Sequence, residues 1–122
     1  MTRAVSEMST PELVAKFVEL TLAQDVADTR GEIAKYNRLF GVMTTVIDEL
    51  KGRDGDQRRE LLALFAHPNL HVRLQAAKAT LAVDRAAARQ QLEAIAASHH
   101  FPAAGDAGMC LCNLDEGVFK PT

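Results

Sequence analysis

The chain has 122 residues, with 14 Lys and Arg against 16 Asp and Glu, two Cys, no Trp and an apolar fraction of 48%. That length suits one core of ordinary size without disulfide or metal staples, and the balance of apolar and charged residues excludes bulk disorder. A net charge of -2 leaves no global field to concentrate nucleic acid or anionic lipid, and no stretch approaches the roughly 20 apolar residues of a spanning helix.

The first segment, residues 1–8, lacks the apolar centre of a signal peptide, so it reads as a flexible lead and cytoplasmic residence is the expectation. Ser9-Thr10-Pro11-Glu12 is a helix start: Ser9 can cap, Glu12 stands three residues on, and Pro11 is tolerated in the first turn. Leu13, Val14, Phe17, Val18 and Leu20 then give an apolar face that predicts a helix to about Asp25. In the next segment Ile33, Tyr36, Phe40, Met43, Ile47 and Leu50 recur at spacings of 3, 4, 3, 4 and 3. Leu39, Val42 and Val46 widen that stripe beyond a coiled-coil seam, which predicts a helix sandwiched between neighbours.

Lys51-Gly52-Arg53-Asp54-Gly55-Asp56 ends the second helix, with Asp56 placed to cap a third from Gln57 to Ala66 that buries Leu61, Leu62, Leu64 and Phe65. His67-Pro68-Asn69 breaks it, because proline disfavours helix in the residue before it. Asn69 caps a fourth helix, Leu70 to Val83, and Asp84 a fifth, Arg85 to about Ser98, with Ala88, Leu92 and Ile95 inward. After His99-His100-Phe101-Pro102 a sixth helix is predicted from about Ala103 to Asp115, with Gly117 as its terminator. No segment shows the alternation of a β-strand.

The breaks repeat: Pro68 and Pro102 lie 34 residues apart, each between two helices. Self-similarity on that scale built from helix pairs marks an α-solenoid. His67-Pro68-Asn69-Leu70-His71-Val72-Arg73-Leu74-Gln75-Ala76-Ala77-Lys78-Ala79-Thr80-Leu81 resembles the second helix of a HEAT repeat, with Val72, Arg73, Ala76, Ala77 and Leu81 at the family's motif positions. The resemblance implies that Val72, Ala76 and Ala79 face inward and that Arg73 joins a polar ladder between repeats. The region from Ser9 to Gly117 also resembles a family of small bacterial HEAT-like proteins without an assigned function, on Ala107, Leu111, Leu114 and Gly117. The tandem Asp of many HEAT turns is missing and the first two helices carry no HEAT signature, so the resemblance covers about residues 57–115. The fold expectation is therefore all-α: a right-handed stack of antiparallel helix pairs, about six helices, with one domain over residues 9–117 and a tail over 118–122.

Catalytic and metal chemistry find little footing. His67, His71, His99 and His100 sit in two turns that an antiparallel stack would place on one edge, where imidazoles could gather Zn²⁺ or Ni²⁺. No carboxylate pattern supports such a site, and the favoured reading is of turn and capping histidines, with no metal and no cofactor. Cys110 and Cys112 lie two apart on a helix, about 200° around its axis, so the thiols cannot share one metal. No Gly-rich phosphate loop and no activated-serine context exist. Charge is uneven: residues 51–93 carry 8 basic and 5 acidic groups, against 5 and 8 in residues 1–50. With His71, Gln75 and Lys78 outward on the fourth helix, extended by Arg85 and Arg89, this middle is the candidate protein-contact surface. The expectation is a non-catalytic protein-binding module, an adaptor or an inhibitory, immunity-type partner, with homodimerisation open through Phe119 or an end face. The alternative is a nucleic-acid-acting HEAT-like module resembling DNA glycosylases. With no Trp and one Tyr, it lacks stacking platforms.

Overall fold

The computed structural model describes residues 4–122; the start of the predicted flexible lead, residues 1–3, lies outside the described residues. The described residues hold five α-helices and two 3-10 segments, and no strand. They fall into two compact units, the first ending at Glu60 and the second running Leu61–Thr122. No helix among them is long and apolar enough to cross a membrane.

In the first unit, α1 (Thr10–Thr29) opens with the predicted capping box. The Glu12 N–H donates to Ser9 Oγ at 3.2 Å and the Ser9 N–H to Glu12 Oε1 at 3.0 Å, so two otherwise orphaned donors are satisfied at once. The helix runs one turn beyond Asp25, because Ala27 continues the buried face and the stop lies at Gly31, whose φ is +69°. That left-handed residue lets the Gly31 N–H reach Asp28 O at 3.1 Å and the Glu32 N–H reach Ala27 O at 2.8 Å, the paired closure of a Schellman turn. α2 (Ile33–Gly52) then folds back, and the two helices pack on each other. Leu13, Phe17, Leu20 and Ala27 are buried on α1, and Met43, Val46 and Leu50 on α2. The Thr21 hydroxyl, also buried, donates back to the Phe17 and Val18 carbonyls at 2.9 Å. The α2 stripe is only half enclosed: Ile33, Phe40 and Val42 remain 73%, 49% and 40% exposed, contrary to the expected sandwich. Its period set the helix; the breadth of the stripe exceeded what one partner helix can cover. Past α2, Arg53 turns its guanidinium onto the Val5 and Met8 carbonyls and the Thr10 hydroxyl, tying down a 3-10 turn at Val5–Glu7.

The predicted third helix, Gln57–Ala66, is wound as 3-10 rather than α. In that tighter winding residues three apart eclipse, which places Arg58, Leu61 and Leu64 on one side; Arg58 and Leu61 are buried, and Leu64 half-buried. Asp56, at φ +53°, starts the segment, with Oδ1 accepting from the Arg58 N–H at 3.3 Å and both carboxylate oxygens holding the Arg58 guanidinium.

In the second unit, Asn69 Oδ1 caps α3 (Leu70–Thr80) through the Val72 N–H at 3.0 Å, and Asp84 Oδ1 caps α4 (Arg85–Ala97) through the Ala87 N–H at 3.1 Å. α3 stops at Thr80, three residues short of the expected end, as the chain turns into the Asp84 cap with the Val83 and Asp84 N–H groups both donating to Thr80 O. His99, at φ +60°, terminates α4, and α5 (Ala103–Asp115) closes at Gly117 with φ +74°. The three helices share a core of Leu74, Ala77 and Leu81 from α3, Ala88, Leu92 and Ile95 from α4, and Ala107, Cys110 and Leu114 from α5. One alanine from each helix in that set lets the helix axes approach, while each buried leucine contributes about 2 kcal/mol by leaving water. α3 is buried on its other side as well, at Val72, Gln75, Ala76 and Thr80. Gln75 is only 4% exposed, which corrects its expected outward position. A run of Ala76-Ala77 and Val72 gives α3 no distinct polar face, so the one-sided assignment was unsafe there.

Candidate functional site

The α3–α5 side of the second unit carries a shallow cleft of about 240 Å³, lined by Lys78, Asp106, Met109, Cys110, Asn113 and Phe119. Lys78 reaches it from α3. Asp106, in the first turn of α5, accepts from Lys78 Nζ at 2.6 Å, and a carboxylate there is also favoured by the helix dipole. Both side chains remain partly in water, 29% and 42% exposed, so this pair is a rim feature rather than a buried charge. Met109, 62% exposed, and the half-buried Phe119 supply an apolar wall. Phe119 is held by the Schellman closure of α5: the Val118 and Phe119 N–H groups both donate to Asn113 O, at 2.9 and 3.0 Å. In this way the tail residue Phe119 packs on the α3–α4–α5 core.

Burial pushes the Cys110 thiol up, against the opposing effect of Lys78, so it stays protonated near neutral pH. Cys112, exposed on the far side of α5, is also pushed up, by the negative charge of Glu116 and its hydrogen bond to it. Neither thiol is poised as a nucleophile. The cleft joins an ion pair to an apolar wall, an arrangement suited to holding an amphipathic side chain.

The residues singled out from sequence are dispersed by the fold. His71 is half-buried and engaged, Gln75 is buried, and Lys78 pairs with Asp106. Arg85 is exposed at the start of α4. Arg89 makes a two-pronged pair with Asp115, at 2.8 and 3.1 Å, which holds the Asp115 carboxyl below its usual range. Of the motif residues, Val72, Ala76, Ala77 and Leu81 are buried, and Ala79 is half-buried. Arg73 leaves a buried Nε without a hydrogen-bond partner, so the implied ladder is not made through that nitrogen. His67 Nδ1 accepts the Asn69 N–H at 3.0 Å, a turn role, and among the described residues no three His, Cys, Asp or Glu side chains gather as a metal site. Asp106, Met109 and Asn113 escaped the sequence reading, although their spacings of 3 and 4 put them on one face of α5.

The molecule is thus an all-helical protein made of a helical hairpin and a three-helix unit. Residues 11–115 match the model of the domain of unknown function DUF2019, and the chain belongs to that family. It is similar to the protein RPA1889 from Rhodopseudomonas palustris CGA009, known from a crystal structure, at 57% identity over 99% of this chain and 100% of that one, with a TM-score of 0.95. No curated protein matches it.

Proposed function

We propose that this protein is a non-catalytic protein-binding module. The observation that carries the reading is the set of large apolar side chains left in water on helices and at helix ends. Ile33, Val118, Phe101 and Met109 are 73%, 72%, 70% and 62% exposed. Such side chains gain most from a protein partner, whereas a phosphate backbone offers them nothing. Next to Met109, the Lys78–Asp106 pair adds a polar handle, and Arg85 extends the surface beyond the cleft. We read the α3–α5 unit as HEAT-like, on the motif in α3 and the successive packing of its helices, and that architecture suits a rigid binding face. An inhibitory or adaptor role in the cytoplasm belongs to this class, as does binding to a second copy. The nucleic-acid alternative draws little support from the basic groups, since Arg58, Lys78 and Arg89 spend their charge on Asp56, Asp106 and Asp115.

The test is a pair of pull-downs from lysate of the source organism, one with and one without nuclease, at about 0.15 M salt, where exposed charges are already screened. A stoichiometric protein partner is expected, and Met109→Glu should lose it. Nucleic acid recovered in place of protein overturns the reading.

A further inference from the structure

We propose that the α3–α5 cleft is a recognition site for an extended peptide segment anchored by an aromatic side chain, and that residues 118–122 of the chain itself cover it in the free protein. The occupant is in place. Past Gly117 the backbone is neither helix nor strand, and burial alternates along it: Phe119 and Pro121 are half-buried, while Val118, Lys120 and Thr122 are exposed. A period of two is that of an extended segment lying along a surface. Phe119 packs on the core shared by α3, α4 and α5 and forms one wall of the cleft, which Cys110 also lines. About 240 Å³ stays open beside it, between Lys78, Asp106, Met109 and Asn113. Ligand-holding clefts start at about 300 Å³, so withdrawing one phenylalanine side chain would bring this one towards their range.

The segment can leave without unwinding α5. The helix is closed by the Gly117 N–H, which donates to Leu114 O at 3.3 Å, and by the Val118 N–H, which donates to Asn113 O at 2.9 Å. That pair completes a Schellman turn, and the apolar contact that commonly accompanies one would fall to Val118. Val118 is instead 72% exposed, so the inward side chain of Phe119 serves the cleft and not the helix stop. Beyond the Phe119 N–H, which also donates to Asn113 O, residues 120–122 make no backbone–backbone hydrogen bond among the described residues. The half-burial of two alternate side chains is therefore what holds the segment down. A competing segment with the same spacing, an aromatic residue and a proline two positions on, meets the same surface. The Met109 thioether offers its aromatic anchor a polarizable wall. The Lys78–Asp106 pair, 29% and 42% exposed, offers both charges to the polar residue between the anchors.

The inference rests on the protein-binding reading and names its partner class. Its test uses the full chain carrying Cys112→Ser, which leaves Cys110 as the one thiol, with and without Phe119→Ala. Cys110 is 8% exposed and should resist a thiol reagent in the folded parent; in Phe119→Ala it should label at least tenfold faster. A synthetic peptide with the sequence of residues 117–122 is then added at about 5 mM, above the millimolar effective concentration of a short tethered segment. It should return the labelling of Phe119→Ala towards the parent rate, whereas the same peptide with alanine in place of its phenylalanine should not. Unchanged labelling in Phe119→Ala, or equal protection by the two peptides, overturns the proposal. So does a urea midpoint that falls as far in Phe119→Ala as in Leu92→Ala, since Phe119 would then be part of the core and not a detachable cover. A lysate partner held equally by the parent and by Phe119→Ala, and not displaced by the peptide, would refute this site and leave the protein-binding reading standing. Failure of that reading shows separately, as nucleic acid in place of protein in the pull-downs.

Discussion

Leu92 is the strictest test of how the second unit is held together. It lies in α4, is 0% exposed, and belongs to the core contributed by all three helices of that unit. Leu92→Ala removes three carbon atoms. At about 0.8 kcal/mol per buried methylene the lost transfer energy is about 2 kcal/mol. If about 50 Å³ of the vacated space stays open, the cavity adds about 1 kcal/mol. The expected loss is therefore about 3 kcal/mol, a large part of the stability of an ordinary domain. Urea denaturation followed by circular dichroism reads it directly: with a slope of about 1.5 kcal/mol/M, the midpoint should fall by about 2 M at unchanged slope. Arg85→Ala, at the exposed start of the same helix, should stay within about 0.5 kcal/mol of the parent. A loss below about 1 kcal/mol for Leu92→Ala would refute the argument that this side chain is locked between α3 and α5.

Three further outcomes follow from the local geometry. His99→Gly should stabilise by about 0.5 kcal/mol, seen as a raised urea midpoint, because a left-handed backbone strains any residue with a β-carbon more than it costs glycine in chain entropy. The Asp115 carboxyl, held down by its hydrogen bonds to Arg89, contributes stability that is complete above the ordinary carboxylate range and is lost as pH falls through its depressed folded value. Arg89→Gln should therefore flatten the fall in urea midpoint below about pH 4, and an identical acid limb in both proteins would contradict the pairing. Cys112 should react with a thiol reagent in the folded protein, increasingly with rising pH and faster in Glu116→Gln. Cys110 should react only after denaturation.

Much of this architecture was legible in the chain because helix starts and stops are local events. Ser9 with Glu12, Asn69, Asp84 and Gly117 act over three to five residues, and each performs the expected backbone role. The apolar period likewise specified α1, α2 and α4, since a spacing of three and four residues has one regular solution. The candidate site was less accessible. Lys78 was singled out, but Asp106, 28 residues away, is the partner that makes it part of a cleft, and nothing local joins the two.

Sequence by itself determined that this protein is helical, where its helices begin, and which side of α4 faces inward. Those properties depend on hydrogen bonds and periodicities confined to a few turns. Tertiary structure alone decided that Gln75 is buried, that Gln57–Ala66 winds as 3-10, and that Ile33, Phe40, Leu22 and Val26 stay in water. It also decided that Lys78 and Arg89 are spent on Asp106 and Asp115. The physical reason is that a hydrophobic period records how much of a helix can be buried, whereas the number of neighbours that arrive to bury it is a property of the whole fold.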